Sequence, residues 1–154
     1  LARELARIRD EFPHYHARPV AAFGDPAAQL LIVGLAPGMH GANRTGRPFT
    51  GDHAGILLYE TLHRFGFANQ PEALEADDGL RLTGCRITNA VKCWPPQNKP
   101  LPEEVKRCNI YLRQELLILP RGAAILALGG IAHQAVLAAE MLPRAAHRFV
   151  HGAH

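Results

Sequence analysis

Three short apolar runs punctuate the chain: Gln29-Leu-Leu-Ile-Val-Gly34, Cys85-Arg-Ile-Thr-Asn-Ala-Val91 and Ala123-Ala-Ile-Leu-Ala-Leu128. Each is bounded by turn residues and lacks the strict alternation of a half-exposed strand, so each predicts a parallel strand buried on both faces. Between them the period becomes helical. From about Asp52 to Phe65, the residues Ile56, Tyr59, Leu62 (with Leu58) and Phe65 fall on one side and predict a core-facing helix. After Pro102, which suits a first helical position, Val105, Cys108, Leu112, Leu116 and Leu119 form one stripe. A further helix is expected from Ile131 to Met141, opened by Gly129-Gly130 and ended by Pro143, and Leu1 to Phe12 is also helix-patterned. Phe67 to Arg81, acidic and broken by Pro and Gly, predicts a solvated connection. Strand and helix alternate, which predicts an α/β fold, a three-layer α/β/α sandwich with a mainly parallel central sheet. In open sheets of this kind the ligand sits at the carboxyl ends of the strands.

Composition narrows the picture modestly. A chain of 154 residues that is 47% hydrophobic can bury a real core, and a single domain over 1–154 is expected. The apolar runs are too short to span a bilayer and no charged-then-apolar leader opens the chain, so a cytoplasmic monomer is the expectation. The first residue, Leu1, already lies in a helical pattern, and the sequence reads as a piece truncated at both ends. A net charge of +3 permits nucleic acid as a partner without announcing it. Cys85, Cys93 and Cys108 are an odd set, which argues for thiols or metal ligands over a disulfide framework.

The segment after the first strand carries the strongest chemical signal. Gly34-Leu-Ala-Pro-Gly-Met-His-Gly-Ala-Asn-Arg-Thr-Gly-Arg-Pro-Phe-Thr-Gly-Asp52 holds five glycines and two prolines in nineteen residues, which is incompatible with a helix and suited to close approach of backbone to a ligand. The Gly-Lys-Ser/Thr ending of a P-loop is absent, as is a clean dinucleotide fingerprint. Taken alone, Asp52 is as well read as an ordinary helix N-cap as a reacting group, Phe49 reads more readily as a core aromatic, Asn89 could satisfy backbone groups at a strand end or serve a ligand, and Cys108 could be a buried thiol on an apolar stripe.

Two blocks change that reading. Gly34-Leu-Ala-Pro-Gly38, His40-Gly-Ala-Asn-Arg-Thr-Gly-Arg47 and Phe49-Thr-Gly-Asp52 closely resemble the first motif of the family-5 (type b) uracil-DNA glycosylases. Ile87-Thr-Asn-Ala-Val-Lys-Cys-Trp-Pro-Pro-Gln-Asn-Lys-Pro100 is similar to the strand-plus-loop motif shared by family 4 and family 5, and Ala127-Leu-Gly-Gly130 and His151-Gly-Ala-His154 sit where that family has related segments. The order and spacing of the blocks match as well. Family 4 has an acidic residue after the first glycine, where this chain has Leu35, so family 5 is preferred.

The resemblance implies a monofunctional DNA-repair glycosylase that hydrolyses the bond between deoxyribose and uracil, with hypoxanthine or other deaminated bases as further substrates. It would act on DNA in the cytoplasm, in association with the nucleoid. Asp52 would orient the attacking water, with Asn98 a second polar candidate. Ala36, Pro37 and Gly38 would line the base pocket, Phe49 would stack on the extruded base, and Asn89 would read its edge. Arg44, Arg47, Lys92 and Lys99 flank these loops and are the candidate phosphate contacts. Cys93 and Cys108 match two of four ligands of a [4Fe-4S] cluster, whose other pair would precede Leu1; two thiolates cannot hold a four-iron cluster. The family's base-contacting histidine belongs to a later motif, which neither His151 nor His154 replaces. Outside that reading stand a cluster-carrying nucleic-acid-binding protein without catalysis and a hydrolase of free nucleosides.

Overall fold

The computed structural model describes residues 1–153, so His154 lies outside the described residues. A ten-residue helix, α1 (Ala2–Glu11), precedes the two-residue strand β1 (Phe23–Gly24) and the strand β2 (Leu30–Gly34). One helical turn, α2 (Ala42–Thr45), leads to α3 (His53–Arg64), β3 (Cys85–Asn89), α4 (Pro102–Leu117), β4 (Ala124–Ala127) and α5 (Gly130–Ala139). The strands lie side by side in the order β1-β3-β2-β4. β2 runs parallel to both β3 and β4, and only β1 is antiparallel. The expected mainly parallel α/β sheet is present.

Alternation along the strands sorts the core into two faces. Leu31 and Val33 of β2 pack with Leu112 and Leu116 of α4 and with Ala132, Ala135, Val136 and Ala139 of α5. Ile32, with Cys85 and Ile87 of β3, packs on the opposite side with Tyr59 and Leu62 of α3. A third cluster joins Leu5 and Ile8 of α1 to the loop residues Cys93 and Trp94. No described helix is long and apolar enough to cross a membrane.

Several sequence expectations need correction. Ile56 and Phe65 are exposed, because α3 turns Gly55, Tyr59 and Leu62 inward and the first turn presses a glycine against the preceding loop. β4 is not buried on both faces: Ala124, Ile125 and Leu126 are exposed, since β4 is the outer strand of the described sheet. The glycine-rich loop does contain a helical turn, α2, stopped by Gly46 in the left-handed region at φ +81°. The connection from Phe67 to Arg81 is only partly solvated, with Ala68 and Leu80 buried in the α3-side core.

Candidate active site

The carboxyl ends of β2 and β3 open into a cleft of about 460 Å³ lined by Gly34, Leu35, Ala36, Gly38, Phe49, Asp52, Ala54, Asn89, Asn98 and Leu128. Strand register creates its floor, because Gly34 stands directly beside Asn89 across the β2–β3 pair. Only glycine fits there. A Cβ on Gly34 would lie 2.5 Å from Asn89 Oδ1 and 2.5 Å from the Phe49 ring. Asn89 is buried, and among the described residues its Oδ1 accepts no hydrogen bond. A buried acceptor without a partner calls for an explanation, and a ligand donor in the cleft supplies one.

Asp52 closes the glycine-rich loop and opens α3. Its Oδ1 accepts the Gly55 N–H at 2.9 Å, the geometry of an N-cap. Its Oδ2 accepts no hydrogen bond among the described residues and lies 3.6 Å from where a Cβ on Gly38 would stand. One oxygen therefore fixes the side chain while the other remains available on the cleft wall. The two roles expected for Asp52, helix cap and reacting carboxylate, are compatible in one geometry.

Phe49 holds a left-handed backbone at φ +54°, uncommon for an aromatic residue, and its carbonyl crosses so close to α3 that a Cβ on Gly55 would collide with it at 1.8 Å. That conformation turns the ring onto Gly34. The amides of Ala36 and Gly38 donate no hydrogen bond to any described residue, which leaves two donors on the cleft wall. The Pro37 side chain is fully buried and Pro37 is absent from the cleft lining, whereas its neighbours Ala36 and Gly38 line it. Asn98 does reach the cleft, from a 3₁₀ turn over Pro96–Asn98, and its Oδ1 accepts the Trp94 indole N–H at 3.2 Å. Trp94 packs against the α1 cluster, a structural role. Nothing in the residue pattern nominates Ala54 or Leu128, because small and aliphatic side chains become cleft walls only when the elements bearing them converge.

The basic residues part company. Arg47 is buried, with Nη1 on Asp78 Oδ1 at 2.9 Å, Nη2 on Asp78 Oδ2 at 2.7 Å, and its guanidinium over the Phe23 ring. Burial alone would raise the Asp78 pKa, but the Arg47 guanidinium and the amides of Leu80 and Leu74 outweigh it and hold the carboxyl down at about 2. Lys92 is buried as well, bonded to Thr88 Oγ1 and to both oxygens of Glu115 at 2.9 and 2.8 Å. Burial pulls its pKa below the usual lysine value, against the opposing charge of Glu115. Arg44 is held by the His40 and Leu74 carbonyls and paired with Glu75 at 2.5 Å. Arg47 and Lys92 are thus structural ions rather than phosphate contacts, since leaving their carboxylates would strand a buried charge. Lys99 is exposed and forms no ion pair among the described residues.

Cys93 and Cys108 line one recess between the loop after β3 and α4. Burial first, then the Cys108 and Glu104 charges, push the Cys93 thiol up. Among the described residues no three His, Cys, Asp or Glu side chains converge on a metal position. Four thiolates are needed for a four-iron cluster, so these residues alone do not fit one. Cys85 faces the core, where burial pushes its pKa to about 11.

Residues 21–153 match the uracil DNA glycosylase superfamily. The chain belongs to that superfamily. A type-5 uracil-DNA glycosylase of Thermus thermophilus is 54% identical over 140 residues, covering 91% of this chain and 64% of the relative. A type-5 enzyme of Mycobacterium tuberculosis is 50% identical over 124 residues, 80% of this chain and 46% of its own length. A type-4 enzyme of Pyrobaculum aerophilum is 38% identical over 149 residues, 94% of this chain and 66% of the relative. The chain spans about half to two thirds of the curated relatives it matches. Within the superfamily its likeness to these type-5 members exceeds that to the type-4 one, in keeping with Leu35 after the first glycine.

Proposed function

We propose that the protein excises uracil, and other deaminated bases, from DNA by hydrolysing the N-glycosidic bond. The observation that carries this reading is the convergence on one cleft of the Asp52 carboxylate, the Phe49 ring and the unpartnered Asn89 oxygen. A base stacked in a duplex is out of reach, so it is flipped into the cleft at a cost of a few kcal/mol, offset by stacking on Phe49 and by hydrogen bonds to Asn89. Asn89 Oδ1 suits the N3–H of uracil. As the glycosidic bond breaks, its electron pair leaves with the base and positive charge develops on the sugar. Asp52 Oδ2 stabilises that charge and orients a water toward the sugar carbon, while the amides of Ala36 and Gly38 are donors available to the departing base. Water adds to the sugar, the base leaves and takes up a proton, and an abasic site remains. Among the described residues no lysine lines the cleft, so a Schiff-base route to strand cleavage is not part of this proposal.

The protein would act as a monomer on nucleoid DNA in the cytoplasm, with Lys99 touching phosphate. Cys93 and Cys108 would supply two thiolates of a [4Fe-4S] cluster only if thiols outside these 154 residues completed it. Iron and sulfide analysis of the full-length protein tests that point. The activity is tested by single-turnover base release from a uracil-containing duplex, with free deoxyuridine and Asp52→Ala as controls. Release from DNA that falls by about 10²-fold or more in the variant supports the reading, in line with loss of a group acting on the transition state. Binding of DNA without release would instead favour a non-catalytic nucleic-acid-binding protein.

A further inference from the structure

We propose that Asp78, outside the cleft, is a positioning residue: through Arg47 it holds Phe49–Asp52 in the conformation that presents ring and carboxylate to the base. The kinetic side of this inference rests on the glycosylase reading above, and the geometric side does not. Asp78 lies in the acidic connection between α3 and β3 and is absent from the cleft lining. Its carboxylate is built into place by the amides of Leu80 and Leu74, each at 3.0 Å, before it takes both prongs of the Arg47 fork. Arg47 passes the hold inward, because its Nε donates to Thr50 Oγ1 at 2.8 Å, and Thr50 lies between Phe49 and the Gly51-Asp52 corner. The same connection grips the segment again where the Gly51 N–H donates to the Ala73 carbonyl at 2.8 Å.

Two features of the segment explain why such a strap is needed. Phe49 at φ +54° and Gly51 at φ +74° lie in the left-handed region, which for an aromatic residue persists only when its surroundings over-determine it. A buried ion pair is moreover a poor source of stability, since desolvation offsets most of its attraction. What a bidentate pair does supply is direction, fixing the plane and position of the guanidinium. An asparagine at position 78 keeps a single acceptor oxygen, so it retains one prong of the fork and one of the two backbone amides, which sit on different oxygens of Asp78.

The test compares full-length wild type, Asp78→Asn and Asp78→Glu in three measurements: single-turnover uracil release with enzyme in excess, binding to a duplex carrying the hydrolysis-resistant 2′-fluoro-deoxyuridine, and hydrogen exchange at the Gly51 and Ile87 amides. For Asp78→Asn, release should slow by about ten- to a hundredfold, the range that a small misplacement of reacting groups produces, with binding little changed. Gly51 should exchange faster while Ile87, in β3, stays protected, and Asp78→Glu should recover part of the rate. Release at the wild-type rate, a slow variant whose Gly51 amide is still protected, or equal loss of protection at both amides overturns the proposal. A wild type that releases no base removes the glycosylase reading instead, and the Gly51 exchange then decides the positioning by itself.

Discussion

At the scale of single residues, Asp52 shows how one side chain can carry a structural and a chemical role without conflict. Its Oδ1 caps α3, while its Oδ2, on a side chain that lines the cleft, accepts no hydrogen bond among the described residues. The two roles separate by substitution. Asn is as good an N-cap as Asp, so Asp52→Asn should leave thermal stability nearly unchanged while uracil release falls steeply, because a neutral amide cannot stabilise positive charge on the sugar. Asp52→Ala should lose the rate and also about 1 kcal/mol of stability from the missing cap, read by thermal and chemical unfolding. Asp52 and Phe49 were legible from the motif around them. The need for glycine at position 34 beside Phe49 was legible only as part of a glycine-rich loop, because half of the collision that forbids a side chain there comes from Asn89, on another strand.

At the scale of elements, the basic residues divide by what each element packs against. Lys92 follows β3 and meets Glu115 from α4, so it clamps strand to helix, whereas Lys99 rides an exposed turn. Lys92→Met should destabilise the fold by roughly 3 kcal/mol, because it leaves Glu115 in a largely buried place without its counter-charge. Lys99→Ala should leave stability alone and reduce the salt dependence of DNA binding by about one unit of slope, as expected for one lost phosphate contact. Titrations of binding against salt, beside unfolding curves, distinguish the two. A solvated basic face and a set of buried ion pairs have the same letters in sequence. Only the arrival of Asp78 and Glu115 from distant positions tells them apart.

At the scale of the whole molecule, perturbed groups shape the pH response of the fold, Asp78 on the acid side and Cys85 among those on the alkaline side. The Asp78 pKa is lowered from 3.8 to about 2, so its contribution is present above about pH 4 and lost as pH falls toward 2. The Cys85 pKa is raised from 9.0 to about 11, so the folded state disfavours the thiolate and stability declines as pH rises from 9 toward 11. Urea unfolding across pH should therefore show a shallower acid limb in Asp78→Asn and a shallower alkaline limb in Cys85→Ala than in the wild type. Identical limbs in a variant and the wild type would remove that group from the pH response.

Local features follow directly from the order of residues. Continuous apolar runs made the strands, helical periods made α4 and α5, and the density of glycine and proline marked the loop that lines the cleft. The motif blocks named Asp52, Phe49, Asn89 and Asn98, and all four do line one cleft. Tertiary structure decided what depends on two distant segments meeting. It set the register that places Gly34 beside Asn89 and left β4 at the outer edge of the described sheet. It also drew the acidic connection back onto the glycine-rich loop, where Asp78 and Glu75 engage Arg47 and Arg44. The physical reason is common to all of these. Backbone propensity and hydrophobic period act over a few residues, whereas the partner that satisfies a buried charge or closes a pocket wall is brought by the chain from tens of residues away.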